Sequence, residues 1–167
     1  MSCLIDRLQV GCDVRTQALQ ACRAQIGQWG AALPDVDPLV MDFGLGNFAR
    51  TGSIEFWIAN ELDAGYCGKY MFVSDGQTCP LHSHRVKHET FFLVKGQLCV
   101  RLDGQTLTLD EGQTLTIAPG RIHDFTGVGP SLMLELSMPC DVHDNQFEDA
   151  RVMQWLTTVL EQTDCAQ

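Results

Sequence analysis

Apolar residues follow a helical period in the first part of the chain. Between positions 19 and 33 they recur at steps of three and four: Leu19, Cys22, Ile26, Trp29 and Leu33. This spacing places them on one face of a helix. We expect the helix to be capped by Asp13, to end near Gly30 and Pro34, and to pack on the outside of a sheet or on a second subunit.

From Ser53 onwards the apolar residues alternate with other residues at a period of two, which is typical of strands. Further short apolar runs are separated by turn sequences such as Asp103-Gly104, a hairpin signal. About eight or nine strands therefore predict an antiparallel sandwich or barrel. Residues 40–52 carry three glycines and predict irregular backbone, while the apolar residues between 152 and 160 predict a second helix that packs back on the barrel.

The length of 167 residues is that of one domain. Within it we predict an N-terminal helical arm over residues 1–34 and a single barrel with a C-terminal helix over residues 35–167. A formal net charge of -10 disfavours nucleic acid and anionic membranes as partners and favours a small neutral substrate. Asp6 and Arg7 interrupt the first apolar residues, so we expect no signal peptide and a cytoplasmic protein.

Eight cysteines are scattered along the chain without a C-x-x-C pair. We therefore expect reduced, mostly buried thiols and no disulfide framework. Cys79, three residues before His82, is expected to be a packed thiol, although its position leaves contact with a nearby metal open.

Two histidines and a carboxylate form a candidate metal site. His82 and His84 are two residues apart, so on a strand both imidazoles point to the same face. A turn at residues 85–86 followed by a strand over 87–94 would bring Glu89 beside them. His123, which begins a strand after a Pro-Gly turn, is the natural fourth ligand. Imidazoles with a carboxylate suit a divalent first-row metal.

These residues lie in a longer pattern. Gly76, His82-x-His84, Glu89 and Gly96 have the spacing of the first signature motif of the cupin superfamily and resemble it without a mismatch. The second stretch, from Gly112 through Pro119-Gly120-x-x-His123, resembles the second cupin motif less closely, because Ala118 stands where the family usually has proline.

Within the cupins, four strings are similar to the D-lyxose isomerase family: MDFGLG (41–46), GQTCPLHSH (76–84), K-x-E-T-F (87–91) and D-x-x-D-N-x-F-x-D-x-R-V (141–152). The resemblance covers roughly residues 40–152. It implies a cupin-type antiparallel jelly-roll barrel that binds a divalent metal, commonly manganese. It also implies a homodimer that interconverts an aldose and its ketose, of the D-lyxose/D-xylulose or D-mannose/D-fructose type.

The resemblance also assigns roles to individual residues. His82, His84, Glu89 and His123 match the metal ligands, Lys87 and Glu135 match the polar groups beside the metal, and Asp141, Asp144 and Arg151 match the tail motif as substrate-binding residues. One departure is the short hairpin between the two cupin motifs, where the isomerases carry a longer insertion. The sugar preference is therefore open.

The chemistry of the residues supports the catalytic assignments independently. Lys87 shares strand parity with Glu89, so its ammonium group should point into the barrel. Glu135 lies among apolar neighbours at 132–136, an environment that raises the pKa of a carboxyl group towards that of a useful base. The alternatives are a surface Lys87 and a Glu135 that forms a buried salt bridge with Lys69 or Lys87.

Three functions are compatible with this sequence. A metal-dependent sugar isomerase is favoured, with about one divalent metal per chain. Manganese is expected, and zinc, iron, cobalt or nickel are the alternatives. The other two functions are a mononuclear metal dioxygenase and a non-catalytic sugar-binding protein.

Overall fold

The computed structural model describes residues 6–164. It contains two long helices, α1 (Cys12–Trp29) and α2 (Ala150–Asp164), and a 3-10 turn at Val142–Asp144. The strands are β1 (Leu39–Met41), β2 (Ser53–Glu61), β3 (Tyr66–Val73), β4 (Thr78–His84), β5 (Glu89–Lys95), β6 (Gln97–Leu102), β7 (Gln105–Asp110), β8 (Thr114–Ile117), β9 (His123–Gly127), β10 (Ser131–Ser137) and β11 (Asn145–Phe147).

The strands form two facing antiparallel sheets, as the alternation predicted. One sheet has the order β1-β2-β3-β10-β5-β8 and the other the order β11-β4-β9-β6-β7. Together they make a jelly-roll barrel. The structure has eleven strands, more than expected, because β1 and β11 are three residues each and too short to show a period in the sequence.

The sequence suggested that the chain doubles back between β4 and β5, and this expectation was wrong. The two strands lie in different sheets, so the turn at residues 85–86 carries the chain across the barrel. Lys87 also lies in this connection and not in a strand, because β5 begins only at Glu89. Both motif strands still face the same interior, but from opposite walls.

Helix α1 packs on the outer face of the six-stranded sheet, as predicted. Its residues Leu19, Cys22 and Ile26 are buried against apolar side chains that β1, β2, β3 and β10 direct outwards. The helix ends at Gly30, whose φ of 61° requires the conformational freedom of glycine. The expected cap is wrong: Gly11 occupies the N-cap, and Asp13 lies in the first turn.

A second cluster of buried apolar side chains, separate from the one between α1 and the sheet, fills the barrel. Helix α2 contributes Val152, Leu156 and Val159 to it, so the C-terminal helix packs back on the barrel as expected.

Six cysteines among residues 6–164 are free thiols, and no disulfide joins any of them. No helix in the described part of the chain is long and apolar enough to cross a membrane.

Candidate metal centre and its cavity

Three histidines converge inside the barrel. β4 supplies His82 and His84, and the neighbouring strand β9 supplies His123, which pairs directly with His82 in the sheet. One ring nitrogen from each lies within 4.8 Å of the other two, and all three side chains are buried. The i, i+2 spacing of the sequence thus produces a common focus for three imidazoles.

Backbone carbonyl groups orient two of these rings. His82 Nδ1 lies 2.8 Å from the carbonyl oxygen of Pro80, and His123 Nδ1 lies 3.0 Å from that of Arg121. A carbonyl oxygen can only accept, so each Nδ1 carries a proton, and in the neutral ring the lone pair is then on Nε2. Such an outer hydrogen bond fixes the ring position of metal-binding histidines in proteins.

Glu89 approaches the histidines from the opposite sheet. Its Oε1 atom is 2.8 Å from His123 Nε2 and 3.7 Å from His84 Nε2. Among the described residues, five buried side-chain nitrogen or oxygen atoms make no hydrogen bond: His84 Nδ1, His84 Nε2, Glu89 Oε1, His123 Nε2 and Trp57 Nε1. Four of the five belong to this cluster, although buried polar atoms normally have partners.

A divalent cation fits this donor set. Three imidazoles and a carboxylate oxygen lie close together, and a bound cation would engage Glu89 Oε1, His123 Nε2 and one ring nitrogen of His84, which lack hydrogen bonds. The environment also favours the neutral form of two of these histidines. Burial and the adjacent His123 hold the pKa of His82 well below its usual value, and burial together with Lys87 lowers the pKa of His84 to about 4.

Lys87 lies beside the cluster, buried as expected. Its Nζ atom is 2.7 Å from Glu89 Oε2 and 3.1 Å from Glu135 Oε1. Burial alone would lower the pKa of Lys87, but the carboxylates of Glu135 and Glu89 outweigh burial and raise it. The side chain is therefore a buried ammonium group between two carboxylates.

The environment of Glu135 differs from the prediction. Burial does favour the protonated carboxyl, but Lys69 and Lys87 outweigh burial and lower the pKa of Glu135. Ser137 also donates a hydrogen bond to Glu135 Oε1 at 2.9 Å. The expectation of a raised pKa was wrong, because the two lysines come from other parts of the chain, while Leu132 and Leu136 face away from the barrel interior. Glu135 is ionised and forms both of the salt bridges considered as alternatives.

The cluster opens into a cavity of about 80 Å³. One water needs about 10–15 Å³ by this measure, so the cavity holds a small molecule and not an oligomer. Its polar lining residues are Glu55, Lys69, Cys79, His82, His84, Lys87, Glu89, Glu135, Cys140 and Asn145. Its apolar lining residues are Leu8, Met41, Phe43, Met71, Phe91, Phe125, Val142, Phe147, Trp155 and Leu156.

Sequence reasoning missed two ionisable residues of this cavity as site residues. Lys69 was considered only as a salt-bridge partner, and Glu55 was not singled out. Both are buried on the inner face of the six-stranded sheet. Strand parity with Cys67 and Met71 would have placed Lys69 inside the barrel, but parity alone does not place it at the cavity.

The three tail residues do not line the cavity. Asp144 is buried and accepts hydrogen bonds from the backbone N–H groups of Arg85, Val86 and Lys87, so it holds the connection that carries Lys87. Asp141 caps the 3-10 turn, and Arg151 is exposed and pairs with Asp149. Their assignment as substrate-binding residues stays a prediction.

Cys79 packs against the edge of the cluster. Its Sγ atom lies 3.9 Å from His82 Nδ1, the nitrogen that faces Pro80 and not the focus of the three rings. Burial, with a further contribution from Glu55, raises the pKa of this thiol well above its usual value. The thiol is therefore protonated at neutral pH.

A family model described as "Cupin domain" matches residues 69–137, which include both motifs. No curated protein sequence matches the chain significantly. Among solved structures, L-ribose isomerase from Acinetobacter sp. DL28 in complex with L-ribose is similar, with a TM-score of 0.74, 14% identity and coverage of 89% of this chain and 96% of that one.

Two further structures show how widely the fold is shared. L-ribose isomerase from Cellulomonas parahominis with L-ribose has a TM-score of 0.73 and 15% identity, over 90% of this chain and 97% of that one. KdgF from Halomonas sp. has a TM-score of 0.50 and 19% identity, over 53% of this chain and 80% of that one. At these identities the similarity concerns the fold, and the activity must be argued from the site.

Proposed function

We propose, from the premise that the chain carries a cupin domain in a jelly-roll barrel, that it is a metal-dependent sugar isomerase. It interconverts an aldose and its ketose, of the D-lyxose/D-xylulose or D-mannose/D-fructose type. His82, His84, Glu89 and His123 hold the divalent metal, for which manganese is our first choice. The L-ribose isomerases with the same fold support a sugar substrate.

The observation that carries this proposal is the ion pair between Lys87 and Glu135 beside the ligand cluster. Lys87 Nζ bridges Glu89 and Glu135 at 2.7 and 3.1 Å, so charged groups of both signs line the cavity next to the candidate ligands. A cupin that only binds a metal and oxygen would suit a more apolar pocket. A reaction that moves a proton between adjacent carbons needs both an acceptor and a donor.

The residues divide this work by their charge. A divalent cation, when bound, acts as a Lewis acid for the carbonyl and hydroxyl oxygens of the sugar. Glu135 is ionised, so it can accept the proton from C2 of an aldose and return it to C1. Lys87 is protonated, so its ammonium group stabilises the negative charge that develops on the sugar oxygen as C2 loses its proton. Both side chains are buried, which limits their contact with bulk water.

The lining also favours an unphosphorylated substrate. Within residues 6–164, no arginine lines the cavity. Arg101 and Arg121 instead form ion pairs with Asp124 and Asp103 elsewhere. A phosphate group would lack the bidentate guanidinium contacts that usually bind it.

A metal dioxygenase is the second candidate, and one observation favours it. The side of the cavity covered by β1, the following loop and α2 is apolar, lined by Met41, Phe43, Trp155 and Leu156. Such a wall suits an apolar substrate of an oxygen-dependent reaction. The two candidates differ in their consumption of oxygen.

The test is an NMR assay of free pentoses and hexoses with the purified, manganese-loaded protein, in parallel with an oxygen electrode. The isomerase predicts a ketose formed from at least one aldose without oxygen uptake. Oxygen uptake with an apolar substrate would support the dioxygenase. A protein that forms no ketose from any of the sugars, although loaded with metal, would contradict our proposal.

A further inference from the structure

Five ionisable residues form a continuous row across the inner face of the six-stranded sheet and the adjoining turn. We call them the charged stripe: Glu89, Lys87, Glu135, Lys69 and Glu55. Lys69 Nζ lies 3.5 Å from Glu135 Oε2 and 3.1 Å from Glu55 Oε2, which continues the row begun by Glu89 and Lys87. All five residues are buried, and all five line the cavity.

The stripe is longer than the proposed chemistry requires. Proton transfer between two adjacent carbons uses the part of the stripe beside the ligands, which is Glu135 with Lys87. Lys69 lies one strand further on, opposite Glu135 in the pairing of β10 with β3. Neighbouring strands are about 4.8 Å apart, so Lys69 and Glu55 lie further from the candidate ligands than Glu135 does.

Stability alone does not explain a second buried ion pair at this position. Removing two charges from water is costly, and an apolar pair of similar size would usually serve a core equally well. Lys69 is nevertheless held firmly, between two carboxylates and 4.8 Å from the centre of the Trp57 ring. A rigid charged pair in a cavity wall is suited to binding neutral hydroxyl groups, which can donate to the carboxylate and accept from the ammonium group.

We propose that Lys69 and Glu55 bind the hydroxyl groups of the substrate beyond its two reacting carbons. The substrate class is then an open-chain polyhydroxy aldose of four or more carbons, extended along the charged stripe with its carbon skeleton towards the apolar wall. This inference rests on the proposed isomerase function and assigns the part of the site that selects the length and hydroxylation of the sugar.

The test removes both charges together, in the double variant Lys69→Met with Glu55→Gln. A single substitution would leave one buried charge without a partner and could prevent folding, whereas a paired replacement is tolerated better. The matched control is Lys95→Met with Glu111→Gln. This ion pair has a similar separation of 3.2 Å but is exposed and lies outside the cavity.

The first readout is kcat/KM for a pentose relative to glyceraldehyde, measured with manganese-loaded protein. Loss of charge-assisted hydrogen bonds should lower this ratio about 10- to 100-fold in the Lys69/Glu55 variant, and the control should keep the ratio of the natural protein. A structural role for the pair predicts that both aldoses lose activity by the same factor. That result would overturn the inference.

The second readout does not depend on turnover. Pentitols resemble the open-chain sugar, and calorimetric titration compares their binding with that of glycerol. We expect the natural protein to bind a pentitol more tightly than glycerol and the Lys69/Glu55 variant to lose this preference. A natural protein that isomerises no aldose would contradict the isomerase proposal alone. Absent pentitol binding, or a preference that survives in the variant, would overturn the role of Lys69 and Glu55.

Discussion

Buried histidines and buried carboxylates reach their protonation states for different physical reasons in this cavity. Burial removes solvation from His82 and His84 and so favours their neutral form, in which a nitrogen lone pair is free for a metal. Burial also disfavours the ionised form of Glu135, but its two lysine partners reverse that effect. His82 and His84 are therefore neutral through burial, and the candidate base Glu135 is ionised through charge pairing.

Glu135→Gln should abolish turnover and leave the metal in place. The substitution keeps the size of the side chain and removes the proton acceptor, so we expect kcat to fall about 10²- to 10⁴-fold. Kinetics and elemental analysis of the same preparation measure both quantities. Glu111→Gln, which removes an exposed carboxylate paired with Lys95, is the control. Loss of the metal together with activity would make Glu135 a ligand or a structural residue.

The metal-free protein should lose stability as the pH falls from about 6.5 to about 4. The pKa of His84 is about 4 in the folded protein, while the unfolded chain keeps the ordinary value of 6.5. Between these pH values the unfolded state binds more protons than the folded state, so protonation shifts the equilibrium towards unfolding. The loss reaches about 3 kcal/mol. Urea denaturation of metal-free protein across this pH range measures it.

The control for this pH dependence is His84→Gln compared with His88→Gln. His88 is exposed in the connection between β4 and β5, so its replacement removes an imidazole without changing the buried cluster. His84→Gln should reduce the slope of stability against pH, and His82 should account for part of what remains, because its pKa is also lowered. An unchanged slope in His84→Gln would show that His84 is solvated in the metal-free protein.

At the scale of elements, the loop after β1 and helix α2 cover one side of the cavity together. Phe43 and Gly44 have left-handed backbone conformations, with φ of 56° and 72°. At Gly44 a Cβ atom would lie 2.2 Å from Trp155 Cγ, so the loop can approach α2 only because this position lacks a side chain. The glycine-rich string at residues 41–46 therefore packs directly against helix α2, which is distant in the sequence.

Gly44→Ala should destabilise the protein by about 2–4 kcal/mol, because left-handed strain adds to a steric clash with Trp155. Gly46→Ala is the matched control. Gly46 has a similar φ of 66°, but a Cβ atom added there would meet no other atom within 4 Å, so only about 1–2 kcal/mol of strain is expected. Urea denaturation compares the two variants, and equal losses would contradict the close contact.

The element boundaries show where local pattern suffices. Strand β10, Ser131–Ser137, is one of the short apolar runs that the pattern predicts as strands, because alternation and flanking turns mark it within its own sequence. The separation of β4 and β5 into different sheets was missed, since a short turn between two strands is compatible with a hairpin and with a crossing between sheets.

For the whole molecule, metal binding should raise the stability of the fold. The candidate ligands come from both sheets, so a bound ion ties β4 and β9 to β5. A ligand at 100 times its Kd stabilises the native state by about 2.7 kcal/mol, which for a chain of this size corresponds to about 5–10 °C in Tm.

Thermal unfolding of the chelator-treated protein, before and after addition of manganese, measures this shift, and elemental analysis should find about one divalent metal per chain. The variant His123→Gln should bind the ion more weakly and lose most of the shift. A protein that contains no metal after expression in metal-supplemented medium, and whose Tm does not respond to manganese, would contradict a metal centre.

The sequence by itself determined the features that depend on neighbours along the chain. The period of two predicted the antiparallel barrel, and the period of three to four predicted both helices. The spacing of His82 and His84 directed two imidazoles to one face, since side-chain direction in a strand follows from the backbone alone. The turns before the strands of Glu89 and His123 suggested these two residues as further ligands, and the resemblance to the cupin motifs matched all four.

Only the tertiary structure decided the electrostatics and extent of the site. Glu135 is ionised because Lys69, more than sixty positions earlier, and Lys87 lie beside it on neighbouring strands and turns. Glu55 joins the cavity wall for the same reason. Coulomb interactions depend on distance in space and on burial, and neither quantity can be read from the positions of residues along a chain.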